Sequence, residues 1–208
     1  MSAKTKFPRA AALEVARELC RALKPVCGPD RLIVAGSLRR RKEEVGDVEL
    51  VFVPRHGEVQ DGLFAKAGDL ANAAINQLVA AGVLTHRLSS AGLPAWGAMN
   101  KLAVHAASGI PVDLFSTHEE FFFNYLVCRT GSKETNTLIA IKAQERGLKW
   151  LPTREGFEIK ELDKVLDTFA HTEGLLPAHV HTGAVIPAKS ERAVFELAGL
   201  AYREPWER

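Results

Sequence analysis

Apolar positions in PRAAALEVARELCRALK (8–24) recur at spacings of three and four through Leu13, Ala16, Leu19, Cys20 and Leu23. That period predicts an amphipathic helix. Pro8 suits its first turn and Pro25 stops it. The period then shortens. RLIVA (31–35) predicts a strand, and Gly36-Ser37 breaks it and can open a short helix through four cations, Arg39 to Lys42. Gly46 resets the chain, and DVELVFVP (47–54) predicts a second strand that ends at Pro54. An Ala-rich helix is expected within 60–81, ending near Gly82, before a loop around Gly92, Pro94 and Gly97. KLAVHAASGIPVDLFST (101–117) predicts a hairpin that turns at Ser108-Gly109.

The character changes near residue 118. EEFFFNYLVCRTG (119–131) and SKETNTLIAIKAQERG (132–147) predict helices, the second capped by Ser132 and closed by Gly147. The Pro-, Gly- and Thr-rich stretch 148–187 predicts loops with short strands, and SERAVFELAGL (190–200) a last helix capped by Ser190. The pattern gives an α+β protein with subdomains over 1–118 and 119–208.

Composition narrows this only slightly. With 208 residues, 47% hydrophobic and 25% charged, the chain suits one large domain or two small ones. No apolar run approaches the roughly 18–20 residues that span a bilayer. The start, Met-Ser-Ala-Lys-Thr-Lys, lacks the apolar core of a signal peptide. A soluble, cytoplasmic protein with no membrane partner is therefore expected. Cys20, Cys27 and Cys128 are odd in number, show no ligand or redox spacing, and are expected to be reduced and inert. A net charge of +2 does not by itself announce a nucleic-acid binder. His171, His179 and His181 lack nearby cysteines and are read as surface-loop residues rather than a zinc site. Trp96, Trp150 and Trp206 are read first as packing or surface residues, with base stacking the other reading.

The chemistry lies in the carboxylates. Residues two apart on a strand share a face, which puts Asp47 and Glu49 about 7 Å apart on one side. Two like charges so placed need cations to keep both ionised, and oxygen ligands on a rigid strand suit Mg²⁺ or Mn²⁺. Asp113, in PVDLF, offers a third carboxylate with similar apolar flanks. If the strands are neighbours, the three suit two metals about 3.5–4 Å apart, an arrangement used for in-line attack on phosphorus. The competing reading is that these groups simply face water. Gly36 and Ser37 let backbone and hydroxyl donors approach an anion, and Arg40 returns to the same side after one turn. Along the Arg39–Lys42 run, phosphate contact is expected of Arg40 and plain solvation of Lys42.

The combination in GSLRRRKEEVGDVEL resembles the polymerase-beta-like nucleotidyltransferase superfamily, and specifically its family X DNA polymerases. KFPRAAALEVA resembles the segment that opens their palm, RTGSKETNTLIAIKAQERGLKW the start of the next subdomain, and AVFELAGLAYREPWER their C-terminus. The resemblance implies a nucleotidyltransferase palm with a mixed β-sheet and helices over 1–118, and a small α+β thumb-like subdomain over 119–208. It implies DNA-directed DNA polymerase activity with two Mg²⁺ ions (Mn²⁺ as a substitute), a dNTP substrate and primer-template or gapped DNA. DNA repair and a monomeric state follow as expectations. Asp47 and Glu49 would bind the nucleotide metal, Glu49 bridging to the second, and Asp113 would complete the second and help activate the primer 3′-hydroxyl. Gly36, Ser37 and Arg40 would hold the triphosphate, with Lys6 at a position where the family often has a phosphate-contacting Arg. Gly131 would lie against the sugar or base, and Asn136 would face the base's minor-groove edge.

The sequence departs from the family at several points. Glu49 stands for Asp and lengthens one arm by a methylene. Cys128-Arg129 replaces the Tyr-Phe pair that helps exclude a ribose 2′-hydroxyl. Pro111 replaces a basic residue two before the third carboxylate. The length leaves no room for an N-terminal lyase domain or fingers, which implies a minimal palm-plus-thumb form with a weak, salt-sensitive grip on DNA. Two other functions stay open: a template-independent nucleotidyltransferase acting on RNA, protein or a small molecule, and an inactive nucleic-acid-binding module.

Overall fold

In the computed structural model, residues 5–61, 64–88, 92–170, 176 and 180–208 are described. The reading of His171 and His179 lies outside them. The chain divides into two units, Met1–His118 and Glu119–Arg208.

In the first unit, α1 (Arg9–Leu23) buries Ala12, Val15, Ala16, Leu19 and Leu23, the face its apolar period marks. Each fully covered leucine contributes about 2 kcal/mol of hydrophobic burial. This face meets a sheet built from β2 (Cys27–Val34), β4 (Val48–Pro54), β9 (Pro111–Ser116), β8 (Asn100–His105) and β7 (Leu84–His86), in that order across the sheet. Val48, Leu50, Phe52, Val112 and Leu114 supply its side of the core. β4 and β9 run parallel, while the other pairs are antiparallel. A parallel pair needs a long crossover. Here the crossover carries a hairpin, β5 (His56–Asp61) with β6 (Phe64–Asp69), and then α3 (Leu70–Ala80). The helix expected within 60–81 thus starts only at Leu70, where Asp69 caps it by accepting the Asn72 N–H at 2.8 Å. Two-residue strands β1 (Phe7–Pro8) and β3 (Glu44–Val45) pair beside α1.

The second unit has its own core. α4 (Phe122–Thr130), α5 (Lys133–Glu145) and α7 (Glu191–Leu197) accompany an antiparallel sheet of β10 (Leu148–Trp150), β11 (Gly156–Ile159) and β12 (Val185–Pro187). Val127, Ile139, Phe157, Ile159 and Phe195 lie at its centre. Within the stretch expected to be loops and strands, Leu162–Phe169 forms a further helix, α6, burying Val165 and Phe169. No helix among the described residues is long and apolar enough to cross a membrane.

Candidate active site

The parallel pairing of β4 and β9 is registered Glu49 to Asp113. Paired residues on adjacent strands share a face with Cβ atoms about 5 Å apart, so two distant parts of the chain present their carboxylates side by side. Asp47 lies one residue ahead of β4 and is half-buried. The row continues across the sheet. Asp113 pairs with Leu102 on β8, and the carbonyl of Leu102 accepts the backbone N–H of Arg87 at 3.0 Å. Arg87 follows β7 directly, and its Nη2 lies 2.7 Å from Asp113 Oδ1, an ion-pair contact that is not aligned as a hydrogen bond. Pro111 offers Asp113 no charge; its cation arrives from two strands away.

Gly36 closes the other side. The Ala35 N–H donates to the Glu49 carbonyl at 2.8 Å, which zips the end of β2 to β4. The chain then turns into α2 (Gly36–Arg39), with Gly36 buried at φ +60°. A Cβ on Gly36 would overlap Glu49 Oε2 and lie 2.6 Å from its Cδ. Only glycine allows both this backbone and this contact. Ser37 follows, half-buried, and Arg40 ends the turn, its N–H donating to the Gly36 carbonyl at 3.1 Å. Gly36, Glu49 and Asp113 are therefore one neighbourhood, with Ser37 and Arg40 on the adjoining turn. Among the described residues no three His, Cys, Asp or Glu side chains stand grouped as a metal cage. Like-charge repulsion resists such closure without a cation. The donor set is all carboxylate oxygen on adjoining strand positions, which fits a hard divalent cation.

Lys6 is exposed just ahead of β1. A cavity of about 690 Å³ between the β5–β6 hairpin and α3 includes Lys66, Asp69, Asn72 and Asn76 but none of the three carboxylates. Trp96 donates to Asn76 Oδ1 at 3.3 Å and Trp150 is buried, while Trp206 is exposed. Cys20, Cys27 and Cys128 form no disulfide. Burial pushes the Cys27 thiol up to about 12, with Asp69 and Cys20 adding to the shift, so it stays protonated.

The remaining site candidates belong to the second unit. Gly131 is buried, ends α4 at φ +69°, and is joined to Ser132 by a cis peptide. Ser132 accepts the Thr135 N–H as the cap of α5. Asn136, one turn into that helix, donates through Nδ2 to the Cys128 carbonyl at 2.8 Å, and its buried Oδ1 has no protein partner. Arg129 folds back on α4, with Nη2 donating to the Tyr125 hydroxyl at 2.8 Å and its guanidinium over the Tyr125 ring. Burial raises the Tyr125 hydroxyl's pKa, against the opposing pull of Arg129.

Sequence reasoning missed Arg87. LTHRL carries no motif, and only the β7–β8–β9 register reveals where the guanidinium goes.

The sequence behind this mixed sheet and the separate α+β unit matches known families over most of its length, with residues 110–124, Asp113 among them, outside the matches. Residues 6–109 match the family described as DNA polymerase beta palm, and residues 125–208 match DNA polymerase beta thumb. The chain belongs to the family X polymerases, the DNA polymerase beta-like family. One particular relative is DNA polymerase lambda of Rattus norvegicus, 26% identical over 211 residues that cover 98% of this chain. The chain spans about a third of that relative's length, 33%.

Proposed function

We propose that the chain is a DNA-directed DNA polymerase that joins a dNTP to a primer 3′-hydroxyl and releases pyrophosphate, with gap filling in DNA repair as its setting. The observation that supports it best is the registered Glu49–Asp113 pair packed beside Gly36. Asp47, Glu49 and Asp113 would hold two Mg²⁺ or Mn²⁺ ions. When bound, such ions offset charge on the phosphates and on the attacking oxygen. Backbone N–H groups at Gly36 and Ser37, the Ser37 hydroxyl and the Arg40 fork would grip the triphosphate, with Lys6 adding charge. Gly131 lets the nucleotide sugar approach the backbone. Asn136 would meet the base edge by giving up its bond to the Cys128 carbonyl. The protein would act intracellularly as a monomer.

The test is primer extension across a one-nucleotide gap, with dNTPs and then rNTPs, comparing the wild type with Asp113→Ala. The expected result is extension by the wild type and a loss of about a hundredfold or more in the variant. Equal extension by both would remove the site assignment. Nucleotide labelling of RNA, protein or small acceptors without primer extension would replace this reading with a template-independent transferase.

A further inference from the structure

Across the sheet, the row Glu49, Asp113, Leu102, Arg87 ends in the positive charge that the carboxylates need. The Asp113 side chain is 15% exposed and that of Arg87 28%, so this pair is screened less than a surface ion pair. Arg87 is itself held. Its backbone is tied to β8 at Leu102, next to a strand whose Leu84, His86 and Thr85 pair with β8 in turn. The Arg87 backbone is thereby fixed on the β8–β7 side of Asp113, with Glu49 on the β4 side.

We propose that Arg87 is a positioning residue for nucleotidyl transfer: by holding Asp113 Oδ1 it fixes that carboxylate beside Glu49 in a ligand-ready rotamer. The proposal rests on the reading of Asp113 as a cation ligand. Without Arg87, two carboxylates at registered positions repel, and the Asp113 side chain swings away from Glu49. Arg87 then acts through Asp113 and never touches substrate. Its loss should slow the reaction step rather than weaken nucleotide binding, because misplacement of about 1 Å near the reacting atoms costs about a hundredfold.

The experiment uses the full chain as wild type, Arg87→Ala, Arg87→Lys and Asp113→Ala. Mn²⁺ binding is followed by electron paramagnetic resonance with a non-hydrolysable dNTP, single-gap extension is followed in parallel, and urea melts check folding. In Arg87→Ala the expected outcome is a kcat at least tenfold lower, KM for dNTP within twofold, and the weaker Mn²⁺ affinity reduced at least fivefold. Arg87→Lys should recover part of both effects. Unchanged or tighter Mn²⁺ binding in Arg87→Ala overturns the proposal, since Arg87 would then be a bystander or a competitor for Asp113. An inactive wild type whose Mn²⁺ binding still weakens in Arg87→Ala refutes the polymerase reading and leaves Arg87 in its role. An inactive wild type with no Mn²⁺ effect refutes both.

Discussion

Gly36 limits how closely the turn after β2 can approach Glu49. Its φ of +60° costs a non-glycine residue about 1 kcal/mol. The larger penalty is contact, because the added methyl meets the Glu49 carboxylate head-on. The long Glu arm can yield by rotating, so Gly36→Ala should fold with modest loss while Glu49 leaves its place. We expect extension to fall about a hundredfold, with a urea midpoint change worth no more than about 2 kcal/mol. Equal losses in both would show the glycine to be purely architectural. Cys27 supplies a second residue-scale outcome. Its thiol is buried and held near 12, well above its ordinary value of 9.0, so almost no thiolate exists at pH 8. Iodoacetamide at pH 8 should modify Cys27 far more slowly in the folded chain than in urea. Rapid native-state labelling would contradict the burial.

Among the elements, α4 and the β10–β11 turn are joined by one buried amide. Asn124 accepts from Trp150 Nε1 at 2.6 Å and donates to the carbonyls of Leu151 at 2.5 Å and Arg154 at 2.9 Å. Replacing it strands an indole N–H and the Arg154 carbonyl, each at about 1–3 kcal/mol, and leaves the Leu151 carbonyl only the bond from the Arg154 N–H at 3.0 Å. Asn124→Ala should therefore destabilise the second unit by about 3 kcal/mol or more, read as a lowered urea midpoint of a tryptophan signal; no shift would mean that water replaces the amide. The elements legible beforehand share one property: a strong, uninterrupted period. α1, the β8–β9 hairpin and the strand holding Glu49 all have it, and together with the Gly-Ser break they made Gly36, Glu49 and Asp113 readable. The β5–β6 hairpin was hidden because alanines such as Ala65 and Ala67 favour a helix, while glycines such as Gly57, paired with Gly68, carry no alternation. α6 was hidden by its setting. Leu162, Val165 and Phe169 have helical spacing, but for only eight residues within a Pro- and Gly-rich stretch. Arg87 was invisible for a different reason: its role depends on a register between strands, which no local pattern encodes.

For the whole molecule, the controlling quantity is charge. Each unit closes its own core, so neither the fold nor its stability requires nucleic acid. Twenty-seven cations against 25 anions leave a net charge of +2, and this gives little long-range pull toward a polyanion. On the proposed reading, affinity for gapped DNA comes from a small number of direct phosphate contacts. Each contact releases counterions and adds about 0.9 to the slope of log K against log salt concentration. About four contacts give a slope near −3.6, which corresponds to a loss of about a hundredfold between 50 and 200 mM salt. Fluorescence anisotropy of a labelled gapped duplex should show that slope. Lys42→Ala should leave it unchanged, because the exposed Lys42 ammonium stays solvated and contacts no phosphate on this reading. A slope near zero would mean that the chain does not grip the phosphate backbone, and an altered slope in Lys42→Ala would move the DNA path onto the Arg39–Lys42 run.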